Sequence, residues 1–136
     1  MKILLDTHAI IWALTGDARL KPENEKRILN PDNSVYFSTA SLWEIAIKNG
    51  KAPEKCPYSE RDIYEKCIAS GYELLDVHPE DIFAVRTLRV KKDHSLLNMD
   101  PFDRLLLAQA KAEKMRLLSA DRNFDNYDEA CLLSIK

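Results

Sequence analysis

The sequence contains little of what marks several common protein classes. It has three glycines and three cysteines in 136 residues, and the cysteines are widely spaced: Cys56, Cys67 and Cys131. An odd number of cysteines, with no Cys-x-x-Cys pair and no histidine at zinc-site spacing, argues against a disulfide framework and against a zinc site. A composition with 46% hydrophobic residues and so little glycine excludes fibrous and low-complexity proteins. We therefore expect a globular protein from a reducing compartment.

Long apolar runs and an excess of basic charge are also missing. No stretch approaches the ~18 apolar residues that cross a bilayer, and the run 3–5 is far too short for a secretory signal. We expect a cytoplasmic protein without a membrane partner. The net charge of −2 argues against simple duplex binding. A phosphate substrate stays open, because bound divalent cations can supply local positive charge.

Apolar patterning predicts one domain over residues 1–136, the usual size for a single core. Short β-like runs alternate with helical patterns, and turn residues such as Gly16 and Asn49-Gly50 punctuate them. The runs are 2–5, 35–38, 72–77, 117–120 and 132–135, and the helical patterns are 8–14, 22–29, 41–47, 59–71, 79–90 and 101–114. This alternation predicts an α/β domain with a mostly parallel central sheet flanked by helices.

Acidic residues occupy the positions where such a fold forms sites. Asp6 and Asp121 directly follow predicted strands, and in open parallel sheets ligands bind beyond the carboxyl ends of the strands. Asp103 lies on or beside the apolar face of its predicted helix, and Glu44 lies inside another helix. Two carboxylates ~4 Å apart repel by roughly 4 kcal/mol at an effective dielectric near 20, so converging acids need a cation between them. Oxygen ligands favour Mg²⁺ or Mn²⁺.

Each acid taken alone also has a purely structural explanation. Asp6 and Asp121 fit helix or turn caps. Glu44 fits a capping box that begins at Ser41, or an ion pair with Lys48 one turn later. Asp100 fits an N-cap before Pro101. Likewise, Trp12 and Trp43 fit the core or a subunit interface. His8 and His78 fit helix starts or the surface.

Function classes other than a metal-dependent nuclease have less support. The chain has no phosphate-binding loop, no His-Glu-x-x-His, no Gly-x-Ser-x-Gly and no dinucleotide fingerprint. A metal-dependent phosphatase would also place an aspartate after the first strand, but haloacid-type enzymes use Asp-x-Asp, and here His8 stands two residues after Asp6. A non-catalytic interaction module is the other alternative.

Four segments closely resemble the PIN-domain family, in particular the VapC-type toxins of type II toxin–antitoxin pairs. They cover residues 1–8, 38–48, 100–110 and 118–124, in the family's order and separation. The resemblance implies an endoribonuclease dependent on Mg²⁺ or Mn²⁺, built on a parallel sheet. It further implies an RNA substrate cut to leave 5′-phosphate and 3′-hydroxyl ends, a homodimer, and a cognate antitoxin that silences the enzyme.

The same resemblance assigns roles to individual residues. Asp6, Glu44 and Asp103 match the family's metal-binding catalytic acids, and Asp121 matches the fourth, often partly outer, acid. Asn98 stands where relatives often carry a histidine. Thr7 and Ser41 match small hydroxyl positions beside these acids and are candidates for substrate binding. Lys48 and Arg104 lie near the acidic motifs in the sequence and are candidates for contacts with RNA phosphates. Solvated positions, or ion pairs with Glu44 and Asp103, are the alternatives for these two basic residues. Lys51 also lies near the acidic motifs and has the same alternatives.

Overall fold

A parallel sheet runs through the centre of the protein in the computed structural model, which describes residues 1–92, 94–96, 99–119 and 121–133. Its strands lie in the order β3-β2-β1-β4-β5, and each neighbouring pair is parallel. The strands are β1 (Lys2–Leu5), β2 (Ser34–Ser38), β3 (Glu73–Leu75), β4 (Arg116–Leu118) and β5 (Leu132–Leu133). The predicted α/β class with a parallel sheet is therefore confirmed.

Helices connect the strands, and the described residues also include short 3₁₀ turns. The helices are α1 (Thr7–Thr15), α2 (Pro22–Leu29), α3 (Thr39–Lys51), α4 (Glu60–Ala69), α5 (Pro79–Ala84) and α6 (Pro101–Ala112). The 3₁₀ turns cover Val85–Thr87 and Arg122–Asn126. No helix in the described ranges has both the length and the apolar character of a membrane span.

Alternate residues of the central strands feed two separate cores. Ile3 and Leu5 of β1 pack on one face with side chains from α1, α2, α3 and α4. Leu4 packs on the other face, chiefly with the buried side of α6, such as Leu107. Side chains of a strand point alternately to opposite faces, so a strand covered on both sides is continuously apolar. This explains the short apolar run at the start of the sequence.

The strand order reverses at β1, which lies between β2 and β4. Leu5 is in register with both Phe37 of β2 and Leu118 of β4, so the three strands end at the same level. The backbone N–H of Asp6 then donates to the carbonyl of Leu118 at 3.1 Å. Such a reversal leaves a crevice beyond the carboxyl ends of the strands, because the connections leave in opposite directions.

Several predicted boundaries are confirmed. Helix α2 begins at Pro22 as predicted, Ser59 caps α4, and Gly16 ends α1 in the left-handed conformation with φ 67°. Asp100 caps α6, whose first residue is Pro101. The last predicted run, 132–135, is a strand at 132–133, and its remainder lies outside the described residues, as does Ala120 at the end of the run 117–120.

Other predictions are wrong at the ends of helices. Ser38, not Ser41, caps α3, so the predicted capping box between Ser41 and Glu44 does not form. Helix α3 also passes through Asn49-Gly50, where an end was predicted. The helix predicted over 79–90 stops at Ala84, because the chain beyond it pairs elsewhere: Arg89 N–H donates to Glu129 at 2.7 Å, and Val90 bridges to Tyr127.

Gly16, at the end of α1, and Gly50, inside α3, allow a direct test of backbone conformation. Gly16→Ala should lower the free energy of unfolding by roughly 1–2 kcal/mol, because its φ of 67° is strained for a residue with a Cβ atom. Gly50→Ala should raise it by about 0.5 kcal/mol, because Gly50 is helical and alanine is the better helix former. An added Cβ meets no atom within 4 Å at either position, so packing is matched. Urea unfolding measures both; equal effects would contradict the assigned conformations.

Candidate functional site

Asp6 lies at the carboxyl end of β1 and is fixed from two sides. It is 2% exposed and caps α1, with Oδ1 accepting from the backbone N–H of Ala9 at 2.8 Å. The hydroxyl of Ser119, just after β4, donates to Asp6 Oδ2. The same Ser119 oxygen accepts from the backbone N–H of Asp121 at 3.0 Å. Ser119 thus links the first and fourth acids across the reversal in strand order.

Glu44 enters the same crevice from α3. Its side chain is nearly buried, and its Oε1 accepts from Thr7 Oγ1 at 2.5 Å. Thr7 Oγ1 also lies 3.0 Å from Ser41 Oγ, and Lys48 Nζ lies 2.6 Å from Glu44 Oε2. The predicted ion pair with Lys48 is therefore confirmed. Thr7 holds Glu44 beside Asp6, because it follows Asp6 in the chain.

Asp103 brings the strongest electrostatic perturbation to the crevice. It lies in the first turn of α6, where Asp100 accepts from the backbone N–H groups of Phe102 and Asp103 at 2.9 and 3.0 Å. Burial raises the pKa of Asp103 to about 8, and the negative charges of four other carboxylates add to this effect: Asp100, Asp121, Asp6 and Glu44. These acids therefore lie close enough to repel one another.

Asp6 shows the same effect to a smaller degree. Burial raises the pKa of Asp6 to about 6, against the opposing hydrogen bonds from Ser119 and Ala9. Burial also opposes the charge on Lys48, but the hydrogen bond and charge of Glu44, with those of Asp100 and Asp103, raise the pKa of Lys48 overall. Lys48 thus supplies part of the positive charge that the carboxylates need.

The donor set matches the chemistry of a hard divalent cation. The acids offer oxygen ligands only, as Mg²⁺ and Mn²⁺ prefer, and a cation would relieve the repulsion that raises the pKa of Asp103. Within the described residues, however, no three of these acids have ligand oxygens within 4.8 Å of one another. Repulsion keeps carboxylates apart when no cation lies between them. In addition, Thr7 and Lys48 already contact the two oxygens of Glu44, and Ser119 donates a hydrogen bond to Asp6.

A cavity of about 1100 Å³ adjoins the acids, with Ser119 and Asp121 in its wall. Trp12 also lines the cavity and is stacked on His8, with ring centroids 5.7 Å apart. The guanidinium of Arg19 lies 4.8 Å from the Trp12 ring. Acidic and basic side chains both line it, the basic ones being Arg19, Lys21, Lys91 and Arg122. The space is large enough for nucleotide-sized ligands, which typically occupy clefts of roughly 300–1,000 Å³.

Most of the candidates from the sequence lie together in this crevice, and the structural alternatives hold as well. Asp6 caps α1 and Asp121 caps the 3₁₀ turn Arg122–Asn126, so both acids are caps and members of the cluster. Arg104 is different: its Nε is buried without a hydrogen-bond partner. Trp43 is 62% exposed and packs edge-on against Phe102, so it is not a core residue. Asn98 lies outside the described residues.

Two residues of the site were missed from the sequence. Ser119 lies two positions before Asp121 within the segment 118–124, and a hydroxyl so close to an acid is a usable signal. Tyr127 lies beside Asp103 in space, and burial together with the charge of Asp103 raises its pKa. The Tyr127 hydroxyl is buried without a hydrogen-bond partner. Nothing in the sequence pattern indicated it, because its position depends on the bridge to Val90.

The raised pKa of Asp103 predicts how stability depends on pH. Between the unfolded value of about 3.9 and the folded value of about 8, the folded protein binds more protons, so its stability falls as pH rises. In EDTA at pH 8.5, Asp103→Asn should therefore raise the free energy of unfolding by on the order of 2 kcal/mol. This is less than the free energy that corresponds to the whole pKa shift, because the side chain is partly exposed and solvent screens its charge.

Urea unfolding at pH 4.5 and 8.5 measures this effect. At the lower pH the gain should nearly vanish, because Asp103 is then protonated in the folded protein. The exposed turn residue Asp32 gives the matched control, and Asp32→Asn should change stability little at either pH. A destabilised Asp103→Asn protein at pH 8.5 would contradict the repulsion described above.

Comparison with known proteins identifies the family. The PIN domain model matches residues 3–130, whereas no curated protein matches the sequence significantly. A chain from VapBC2 of Rickettsia felis, crystallised with a promoter DNA fragment, is similar at 20% identity and a TM-score of 0.65, covering 94% of this chain and all of that one. A chain from DNA-bound VapBC of Salmonella typhimurium is similar at 18% identity and a TM-score of 0.67, and the match covers 100% of this chain and 99% of that one. A chain from a toxin–antitoxin complex of Klebsiella pneumoniae is similar at 16% identity and a TM-score of 0.56, and the match covers 98% of this chain and 98% of that one. With its family match over nearly all of its length and the fold described above, this chain belongs to the PIN domain family.

Proposed function

We propose that this protein is a metal-dependent endoribonuclease of the VapC type, with Asp6, Glu44 and Asp103 as ligands of Mg²⁺ or Mn²⁺ and Asp121 as a fourth, outer acid. The convergence of these acids carries the proposal. Burial and mutual repulsion raise the pKa of Asp103 to about 8, and Lys48 is the cation placed beside Glu44. A partly buried group of acids with this little positive charge is unfavourable unless it serves a cation.

The chain's own residues prepare the site in three ways. Ser119 and the Ala9 N–H hold the two oxygens of Asp6, and Thr7 holds one oxygen of Glu44, so both carboxylates are oriented before any ligand arrives. Asp103 must lose its proton before it can act as a ligand. When bound, a divalent cation supplies the positive charge that favours attack of water on a phosphodiester and stabilises the leaving oxygen.

The cavity beside the acids supports an RNA substrate. Lys48 lies beside Glu44. The cavity wall carries basic side chains and one tryptophan ring, from Arg19, Lys21, Lys91, Arg122 and Trp12. Basic side chains suit backbone phosphates, and an aromatic ring suits an unstacked base. Arg104 is a further candidate for phosphate contact. A net charge of −2 suits a short single-stranded or looped segment better than a long duplex.

The proposed cellular role is that of a toxin held inactive by a cognate antitoxin. The similar solved chains come from VapBC or toxin–antitoxin complexes, and the likeness covers 94–100% of this chain. We also propose a homodimer and a cytoplasmic location, the latter because the three cysteines are free.

RNA cleavage by the purified chain tests the proposed activity. Wild type with Mg²⁺ or Mn²⁺ should cut a single-stranded RNA panel, and EDTA should abolish cutting. Asp6→Asn and Asp103→Asn should each lower the rate by ~100-fold or more, because each removes a charge from the proposed ligand set. The exposed Asp125, in the wall of the same cavity, gives the matched control, and Asp125→Asn should leave the rate within about threefold.

Other outcomes would favour the alternative functions. Metal-dependent turnover of p-nitrophenyl phosphate without RNA cleavage would indicate a phosphatase. Absence of both activities, in protein shown to be free of bound partner chains, would favour a non-catalytic interaction module. Cleavage that survives Asp6→Asn would contradict the assigned site even if the protein is a nuclease.

A further inference from the structure

A second group of potential ligands lies at the opposite end of α6 from Asp103. His78 Nδ1, just before α5, lies 3.7 Å from Asp81 Oδ2 and 3.5 Å from Glu113 Oε1, just after α6. In the described part of the chain, these three residues are the one group whose ligand atoms all lie within 4.8 Å of one another. Glu113 lies roughly 15 Å along the helix axis from Asp103, at 1.5 Å per residue, so the group is separate from the acids above.

Asp81 provides an independent sign that something is missing from this group. Its side chain is fully buried, with Oδ2 accepting the His78 backbone N–H at 2.8 Å. Its other oxygen, Oδ1, is also buried and has no hydrogen-bond partner. A buried carboxylate oxygen without a donor is costly, and native proteins normally pair such an atom with a donor, a water or an ion.

Glu113 increases this deficit of positive charge. Burial raises the pKa of Asp81, and the nearby charge of Glu113, within hydrogen-bonding reach, adds to the rise. Two carboxylates that face each other need a shared proton or a cation between them. The neighbouring group that can carry positive charge is the His78 imidazole, and a neutral imidazole is itself a metal ligand.

The distances fit one class of cation. Tetrahedral Zn²⁺ has bonds of about 2.0–2.1 Å to histidine nitrogen and carboxylate oxygen, which places its ligands roughly 3.3 Å apart. The observed separations of 3.5 and 3.7 Å are close to this value. His78 and Glu113 are 54% and 30% exposed, so the side open to solvent can admit the cation and a water as fourth ligand.

We propose that His78, Asp81 and Glu113 bind a divalent transition-metal cation of the Zn²⁺ class, which joins the start of α5 to the end of α6. The spacing of histidines and cysteines in the sequence argued against a zinc site. That argument does not detect this group, because two of its three ligands are acids that the fold brings together. His78 keeps its place directly before Pro79, the first residue of α5. The site does not depend on the proposed nuclease activity.

Calorimetric titration with Zn²⁺ tests the site in Asp103→Asn protein, in which the other acidic cluster is weakened. We expect one binding event per chain that is lost, or weakened at least tenfold, in the further variants His78→Gln and Glu113→Gln. Glu80→Gln is the matched control: Glu80 is exposed, lies in the first turn of α5 and is outside the group. It should bind Zn²⁺ like its parent.

Co²⁺ offers a second readout that does not depend on stability. A four-coordinate Co²⁺ site gives strong visible absorption, which should appear in the parent and in Glu80→Gln and be absent in His78→Gln. Circular dichroism in EDTA verifies that each variant is folded. Zn²⁺ binding that is equal in all variants, or absent from the parent, would overturn the proposal.

Discussion

Repulsion between carboxylates at the end of the sheet is the constraint to which much of this structure responds. Parallel pairing of β1 with both β2 and β4 brings their carboxyl ends together, and it places Asp6 beside Ser119 and Asp121. Helices α3 and α6 then add Glu44 and Asp103 from opposite faces. Each of these acids would be unremarkable alone. Their shared position makes them unfavourable without added positive charge.

The surrounding residues limit this cost without removing it. Backbone N–H groups and hydroxyls hold Asp6 and Glu44, and Lys48 adds one positive charge. Asp103 lacks comparable help, because burial and its neighbours act on it in the same direction. Local stability is therefore lower than the packing of the two apolar cores would allow. Trade-offs of this kind are typical of sites that bind charged ligands.

The sequence predicted the class of fold and the members of the cluster for identifiable reasons. Short apolar runs before Asp6 and Asp121 are direct consequences of strands buried on both faces. Local signals also located helix starts, where Pro22 and Ser59 act through their own backbone and side chain. Helix ends were less predictable. The end of α5 depends on contacts of Arg89 and Val90 with residues far away in the chain. The approach of Glu113 to Asp81 has the same long-range origin.

Two members of the cluster have a second role that bears on how this protein can change. Asp6 caps α1 and Asp121 caps a 3₁₀ turn, each through a side-chain oxygen that accepts a backbone N–H. Asparagine keeps that oxygen and loses the charge, so it serves nearly as well as a cap. A single change of this kind would remove one of the clustered negative charges while leaving the architecture intact. The fold and the proposed metal chemistry are thus separable here by one substitution, so a single change of this kind would convert the proposed nuclease into a scaffold with the same fold.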